Sequence, residues 1–248
     1  GFPLDDSRTT VIPADADVRV LLVAPRDARP DEYRFIEQAL GIGRDPTFVV
    51  ERVAALDRAA LDRSAIVFLL DVAPPIGEIG EALEQWIRAG GGLIAAPGER
   101  LAGRRTEMTL LPVAMRGSRD RAGGAALGAV TAAHPALAAF QGDGGAALGG
   151  VHIRRHSAIE PEATAEVLVR YDDASPAVVA TTQGAGRILV IGIPLDGRRG
   201  DFPLQPGFLP FLRGATGWAA DAARSTTALE SGEAWLAPVA IRSPVIRA

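Results

Sequence analysis

Residues 64–98 read SAIVFLLDVAPPIGEIGEALEQWIRAGGGLIAAPG, and this stretch decides the fold. Residues 65–70 are apolar throughout and the run ends on a charge, Asp71. A run of that length with no polar alternation is expected of a strand covered on both faces. Residues 72–75, Val-Ala-Pro-Pro, read as a loop. From Glu78 to Ala89 the apolar positions Ile79, Leu83, Trp86 and Ile87 recur at helical spacing, which predicts an amphipathic helix. Three glycines, Gly90 to Gly92, stop it. Leu93-Ile-Ala-Ala96 is a second short apolar run, closed by Pro97-Gly98. The unit is therefore strand, helix, strand, and a crossover of that length joins parallel neighbours with a right-handed turn.

The pattern repeats upstream. Residues 18–24, VRVLLVA, form a further buried-strand run, followed by a turn at residues 25–30. Tyr33, Phe35, Ile36 and Leu40 mark a helix that Gly41 and Gly43 end. Residues 47–53 are rich in strand formers, and residues 56–61 carry a short helical pattern. The first hundred residues thus read β-α-β-α-β-α-β. Residues 1–16 have no periodicity and are an entry segment.

The second half is less regular. Residues 99–150 are rich in Gly, Ala and Arg, with a strand expected at 109–115, a helical turn from His134-Pro135 to Phe140, and a loop at 142–150. Strands are expected at 151–159, 165–171, 176–182 and 188–193. Between the second and third of these, Tyr171-Asp-Asp-Ala-Ser-Pro176 reads as a hairpin-type turn. Residues 206–220 form a helix carrying Phe208, Leu209, Phe211, Leu212 and Trp218. Residues 223–248 change character and read as the start of a separate β segment. The fold class expected is α/β: a flavodoxin-like or amidotransferase-like parallel core with helices on both faces, plus an antiparallel β extension.

The 248 residues carry 48% apolar side chains and a net charge of −4. A chain of this size buries roughly three quarters of its unfolded surface. The acidic balance argues against a nucleic-acid binder, which needs a clustered basic face. All 26 basic residues are arginine, and the sequence contains neither lysine nor asparagine, as a GC-rich genome would produce. The absence of cysteine excludes disulfides, thiolate metal sites and thiol catalysis. No apolar run approaches the ~20 residues that span a bilayer, and no signal peptide is visible. Because the chain opens on Gly1, the expectation is that it is a piece of something longer.

Several segments together resemble a known family: SAIVFLLDV (64–72), EALEQWIRAGGGLIAAPGERL (81–101), HPALAAF (134–140), AEVLVRYDDASPAVVATTQGAGRILVIGIPLD (165–196) and FPLQPGFLPFLRGATGWAA (202–220). They are similar to the class I glutamine amidotransferase-like domain of bacterial aerotolerance-regulator-type (Bat-like) membrane proteins, over residues 17–222. The resemblance implies a domain carried by a membrane-anchored protein, held to the membrane only through segments outside this chain. It also implies an extracytoplasmic location and partners among other membrane-complex proteins.

The chemistry of an amidotransferase is missing. That reaction needs a Cys on a sharp strand-to-helix elbow, paired with a His and oriented by a Glu. The candidate elbow, Ala95-Ala-Pro-Gly-Glu-Arg100, holds neither Cys nor Ser, and no His-x-Glu follows. A Gly-x-Ser-x-Gly hydrolase elbow is absent too. Gly90 to Gly92 precede a strand, and Gly184-Ala-Gly186 reads as a hairpin turn, so neither is a dinucleotide loop. No cofactor, no metal and no catalytic residue are therefore expected. His152 and His156 fall four apart, but Arg154 and Arg155 between them would repel a cation, so both are expected on the surface of a strand.

What remains is the crevice beyond the carboxyl ends of parallel strands. Arg26 and Asp27 follow the first strand, Asp71 the third, and Glu99 and Arg100 the fourth. Asp196, Arg198 and Arg199 follow the late strand and join the same rim. These residues either bind a small polar ligand or make salt bridges among themselves. Residues 202–208, FPLQPGF, offer either a contact surface or a loop folded over its own core. The functional expectation is a non-catalytic binding or scaffolding domain. The alternative is a hydrolase or carbohydrate-related enzyme with an atypical site at the strand ends.

Overall fold

The computed structural model describes residues 17–43, 47–102, 110–131, 133–141 and 148–225. The expected entry segment, most of the 142–150 loop and the β-like tail beyond 225 lie outside the described residues.

The amino-terminal half is built as the hydrophobic pattern dictates. Strand β1 (Val18–Val23) leads into α1 (Pro30–Leu40), β2 (Phe48–Val53), α2 (Arg58–Asp62), β3 (Ile66–Leu70), α3 (Glu78–Arg88) and β4 (Gly92–Ala96). A short helix α4 (Glu99–Ala102) follows, then the long strand β5 (Val113–Ala125) and β6 (Leu127–Val130). The carboxyl-terminal half comprises β7 (Ile153–Pro161), β8 (Glu166–Tyr171), β9 (Pro176–Gln183), β10 (Gly186–Ile191) and α5 (Phe208–Ser225).

Eight strands form one sheet in the order β2-β1-β3-β4-β10-β9-β8-β6, and β5 pairs with β7 in a separate ribbon. From β2 to β10 the neighbours run parallel. From β10 through β6 they run antiparallel. This is the mixed α/β arrangement expected, with the antiparallel extension attached at β10.

The continuous apolar runs now have their cause. In β1, Val18, Val20 and Leu22 belong to one core and Leu21 and Val23 to another; in β3, Ile66, Phe68 and Leu70 divide from Val67 and Leu69 in the same way. Alternating side chains point to opposite faces, so a strand covered on both sides has no polar position to spare. The first core is closed by Ile36, Ala39 and Leu40 of α1 and by Phe208, Phe211, Leu212, Ala215 and Trp218 of α5. The second is closed by Ala60 and Leu61 of α2, Ala82, Leu83 and Ile87 of α3, and Val113, Met115 and Ile159 from the ribbon.

Local signals set the ends. Asp57 caps α2, its Oδ1 accepting from the Ala60 N–H at 2.7 Å. After α3, Gly90 takes φ 118°, a conformation that side chains resist. His134 caps the 3-10 turn Pro135–Phe140, its Nδ1 accepting from the Ala136 N–H at 3.2 Å. Its ring packs edge-on against Trp218 of α5, centroids 4.8 Å apart.

Several expectations are corrected. The strand expected at 109–115 continues from Val113 to Ala125, through a Gly- and Arg-rich segment. Its pairing with β7 tolerates two register shifts, the second spanning Gly123 and Gly124. Helix α4 and strand β6 were not expected. Helix α5 runs from Phe208 to Ser225, where a helix over 206–220 was expected. For residues 202–208 the structure takes the second of the two readings, a loop folded over its own core: Phe202 is fully buried against Phe208 and Phe211, in edge-on contacts with centroids 5.3 Å apart. Leu204 is the exposed apolar residue there.

The seam between β10 and α3 is tight enough to test. A Cβ on Gly186 would lie 1.9 Å from the Ile87 carbonyl oxygen and 2.7 Å from that of Gly91. Neither is a side chain that can swing away. Gly186→Ala should destabilise the fold by about 1–3 kcal/mol and lower Tm by roughly 2–12 °C in thermal denaturation. An unchanged melting curve would mean the β10–α3 packing is looser than described.

Candidate functional site

The parallel part of the sheet begins in the order β2-β1-β3-β4, and the direction in which successive strands are added reverses between β1 and β3. In open α/β sheets the ligand crevice lies at this switch point, outside the carboxyl ends of the strands. The loop after β1, Asp71 after β3 and the elbow after β4 meet there.

Asp71 is the centre of this region. Its φ of 52° places it in the left-handed region that few residues other than Gly, Asn and Asp enter. Its N–H still donates to the Ala96 carbonyl at 2.9 Å, so the backbone turns only after the sheet hydrogen bonding is complete. The turn aims the carboxylate at the elbow. Oδ1 accepts from the N–H groups of Gly98 at 2.8 Å and Leu101 at 3.0 Å; Oδ2 accepts from the Arg100 N–H at 3.0 Å. These amides open α4, and a carboxylate is the natural partner for such unpaired donors. The fit leaves no room for another side chain: a Cβ on Gly98 would lie 2.6 Å from Asp71 Cγ and Oδ2.

Arg100 completes the arrangement from solvent. Its Nη1 reaches Asp71 Oδ2 at 3.3 Å and Glu32 Oε2 at 2.7 Å. Both carboxylates are 7% exposed, and Arg29 takes the other Glu32 oxygen at 2.8 Å. Hydrogen bonding to Glu32, then the charges of Glu32 and Asp71, raise the Arg100 pKa above the ordinary guanidinium value, against the opposing effect of burial. The guanidinium is thereby fixed as a permanent cation between two buried anions.

Around this core runs a second ring of ion pairs. Asp27 approaches Arg100 at 3.8 Å. Glu99 lies between Arg155 (3.5 Å) and Arg198 (3.7 Å), and Arg198 also meets Asp31 at 3.2 Å. Asp196 is buried against Arg199 (2.6 Å) and accepts from the backbone N–H groups of Arg198 and Arg199. Burial pushes the Asp196 carboxyl up, but the Arg199 charge and these hydrogen bonds outweigh it, and the pKa falls below the usual value. Of the five residues expected in the crevice, Asp27 and Asp71 share Arg100, whereas Glu99 is linked to them only indirectly, through Arg198, Asp31, Arg29 and Glu32. Arg26 is exposed and makes no ion pair among the described residues. Glu32, Asp31 and Arg155 were not foreseen. Glu32 has one usable signal, an acidic residue in the first turn of the helix that follows β1.

The elbow is braced from its other side by Ser157 of β7, whose hydroxyl donates to the Pro97 carbonyl at 2.7 Å. That hydroxyl is committed to a backbone acceptor. The expectation for the histidines is half corrected. His152 is exposed, but His156 is 2% exposed, its ring stacked on Tyr171 with centroids 4.0 Å apart. Burial lowers its pKa.

No family model and no curated protein matches this chain. Solved structures do. A cytoplasmic protein of Salmonella typhimurium is similar over 82% of this chain and 98% of its own, at 14% identity and a TM-score of 0.63. A ThuA-like protein from Bacteroides uniformis matches over 88% of this chain and 95% of its own, at 14% identity and a TM-score of 0.60. A β-galactosidase from Bacillus circulans matches over 85% of this chain but 31% of its own, at 13% identity and a TM-score of 0.54. The fold is thus amidotransferase-like, as in these structures. The expected membership among aerotolerance-regulator-type membrane proteins is overturned by the same neighbours. The extracytoplasmic, membrane-anchored placement inferred from it is withdrawn as well. Among the described residues no helix is long and apolar enough to cross a membrane.

Two measurements test this geometry. Asp71→Asn keeps the shape but replaces an acceptor with a donor facing three N–H groups. It should cost about 1.5–3 kcal/mol and lower Tm by roughly 3–12 °C. Gly98→Ala should be severe beside Asp71 and much milder in an Asp71→Ala background, a coupling that a double-mutant cycle reads directly; strict additivity would contradict the contact. His156 supplies a pH test. Its folded pKa lies below the unfolded value of about 6.5, so the unfolded state gains the proton first and stability falls as pH drops from about 7 toward 5. His156→Phe should flatten part of that slope in denaturant titrations, leaving the contribution of His134, whose pKa burial also lowers. An identical slope in the variant would assign the effect elsewhere.

Proposed function

We propose that this chain is a binding or scaffolding domain on an amidotransferase-like fold, without bond-breaking chemistry at the elbow. One observation carries the reading. The amide groups that open α4, where an elbow enzyme of this fold presents its nucleophile, are filled by the protein's own Asp71 carboxylate. A substrate oxyanion would have to displace a buried carboxylate held by three backbone N–H groups and Arg100. That exchange trades one anion for another and gains little. The elbow residues themselves, Pro97 and Gly98, carry no nucleophile.

The rim supports binding better than catalysis. Asp27, Glu99, Arg100, Arg155 and Arg198 form a mixed-charge surface around the switch point, partly exposed and paired within itself. Exposed pairs of this kind contribute little to stability. They exchange partners at small cost, which suits recognition of a polar small molecule or a charged protein surface. A hydrolase or carbohydrate-related activity on the same fold would have to draw on this rim, with Glu99 the exposed carboxylate nearest the elbow.

The test is turnover. Purified protein incubated with glutamine, a chromogenic ester and a chromogenic β-galactoside should release no product above the buffer rate. Turnover that is lost in Arg100→Gln or Glu99→Gln would overturn the binding reading in favour of the enzyme.

A further inference from the structure

A cavity of about 380 Å³ opens beside the ribbon, apart from the elbow. Its wall is formed by Arg116, Arg119, His156, Ile159, Pro161 and Pro176, with Ala158, Glu160 and Ser175 completing it. The volume lies within the range of small-molecule pockets. Adjacent strand residues face opposite ways, so Ser157 serves the elbow while its neighbour His156 serves the cavity.

Three features define what would fit. The first is an orphaned acceptor. His156 Nδ1 lies 3.2 Å from the Ser157 carbonyl, which can only accept, so Nδ1 carries the proton and Nε2 bears the lone pair. That Nε2 is buried without a partner, and a buried unpaired polar atom is costly. The second is a cation with donors to spare. Arg116 is engaged by Glu160 across the ribbon. Arg119 approaches Asp173 at 3.7 Å, beyond hydrogen-bonding distance, and that carboxylate already takes Ser175 and Arg121. The third is spacing: Arg119 and His156 are directly paired across the ribbon, so their side chains emerge as cross-strand neighbours.

We propose that this cavity binds a small 2-hydroxy carboxylate. The carboxylate lies on the Arg119 guanidinium, the hydroxyl donates to His156 Nε2, and the carbon body rests on Ala158, which shares the His156 face of β7, and on Pro176. Adjacent hydroxyl and carboxylate groups match adjacent acceptor and cation, and a two-pronged guanidinium is suited to a planar carboxylate. Nε2 is closed to bulk water in this state, so the cavity wall must give locally as the molecule enters while the Nδ1–Ser157 contact is kept. The proposal does not depend on the elbow being inert.

Mandelate and lactate are the probes, followed through the imidazole NMR signals, since the sequence has only 3 histidines. Either acid should shift the His156 signals saturably, with a Kd of about 1 mM or tighter. Phenylacetate, which lacks the hydroxyl, and mandelamide, which lacks the charge, should bind at least tenfold more weakly than mandelate. Arg119 is exposed, so Arg119→Gln should keep the fold while weakening both acids at least tenfold. The proposal fails if neither acid gives a saturable shift up to about 50 mM, if the three aromatic probes bind alike, or if Arg119→Gln binds as the parent does.

Discussion

One carboxylate, that of Asp71, organises the carboxyl edge of the sheet. It ends β3, takes a left-handed backbone to leave the sheet, and gathers three amides from a segment 27 to 30 residues further on. Without it the donors at the start of α4 would face a buried space with nothing to accept them. The glycine at 98 follows from the same contact, because any side chain there would occupy the carboxylate's volume. So does the position of Arg100, which bridges Asp71 and Glu32 and ties the first helix to the end of the third strand. An elbow that in an enzyme of this outline would hold a reactive group is here a closed internal joint.

The surrounding charges extend the joint outward. Three arginines of the rim each touch more than one acid: Arg100 meets Asp27, Glu32 and Asp71; Arg155 meets Glu99 and Asp120; Arg198 meets Asp31 and Glu99. A network that links α1, α4, β5, β7 and the loop after β10 holds five separate segments in one geometry. Guanidinium groups do this better than ammonium groups, because one planar fork serves several acceptors at once. The exclusive use of arginine is therefore put to structural use, whatever its genomic origin.

What was legible in the sequence follows from burial. β1, β3 and β4 announce themselves because both of their faces are covered, so Leu21 and Leu22 are equally apolar. α3 shows a clean apolar stripe because it has one wet face. β5 gave no such signal beyond Met115: residues 116–124 are Arg, Gly, Ser, Asp and a single Ala, and their strand exists because β7 pairs with it and because Arg155 meets Asp120. His156 misled for a related reason. In HIRRHS it reads as a surface position, and it is buried by Tyr171, a residue on another strand. Asp71 was visible at the end of its strand, but its role was not, since nothing local reveals that its acceptors point at Gly98 and Leu101. Resemblance identified the outline of the fold correctly and the family incorrectly, because the shared segments are the strands and glycine stops that any domain of this architecture needs.

The position of β10 has a consequence for synthesis. It is the last strand of the chain among the described residues, yet it lies between β4 and β9, joining the parallel and antiparallel halves. Until residue 191 has left the ribosome, β4 has no neighbour on that side. Its Leu93, Ile94 and Ala95 then border an open edge, the kind that recruits other chains. Some ninety residues separate β4 from its partner, so closure is a late, long-range event. The nascent chain must keep one apolar edge unsatisfied while the segment between β4 and β10 is made, and its yield in a cell depends on how well that edge is shielded meanwhile.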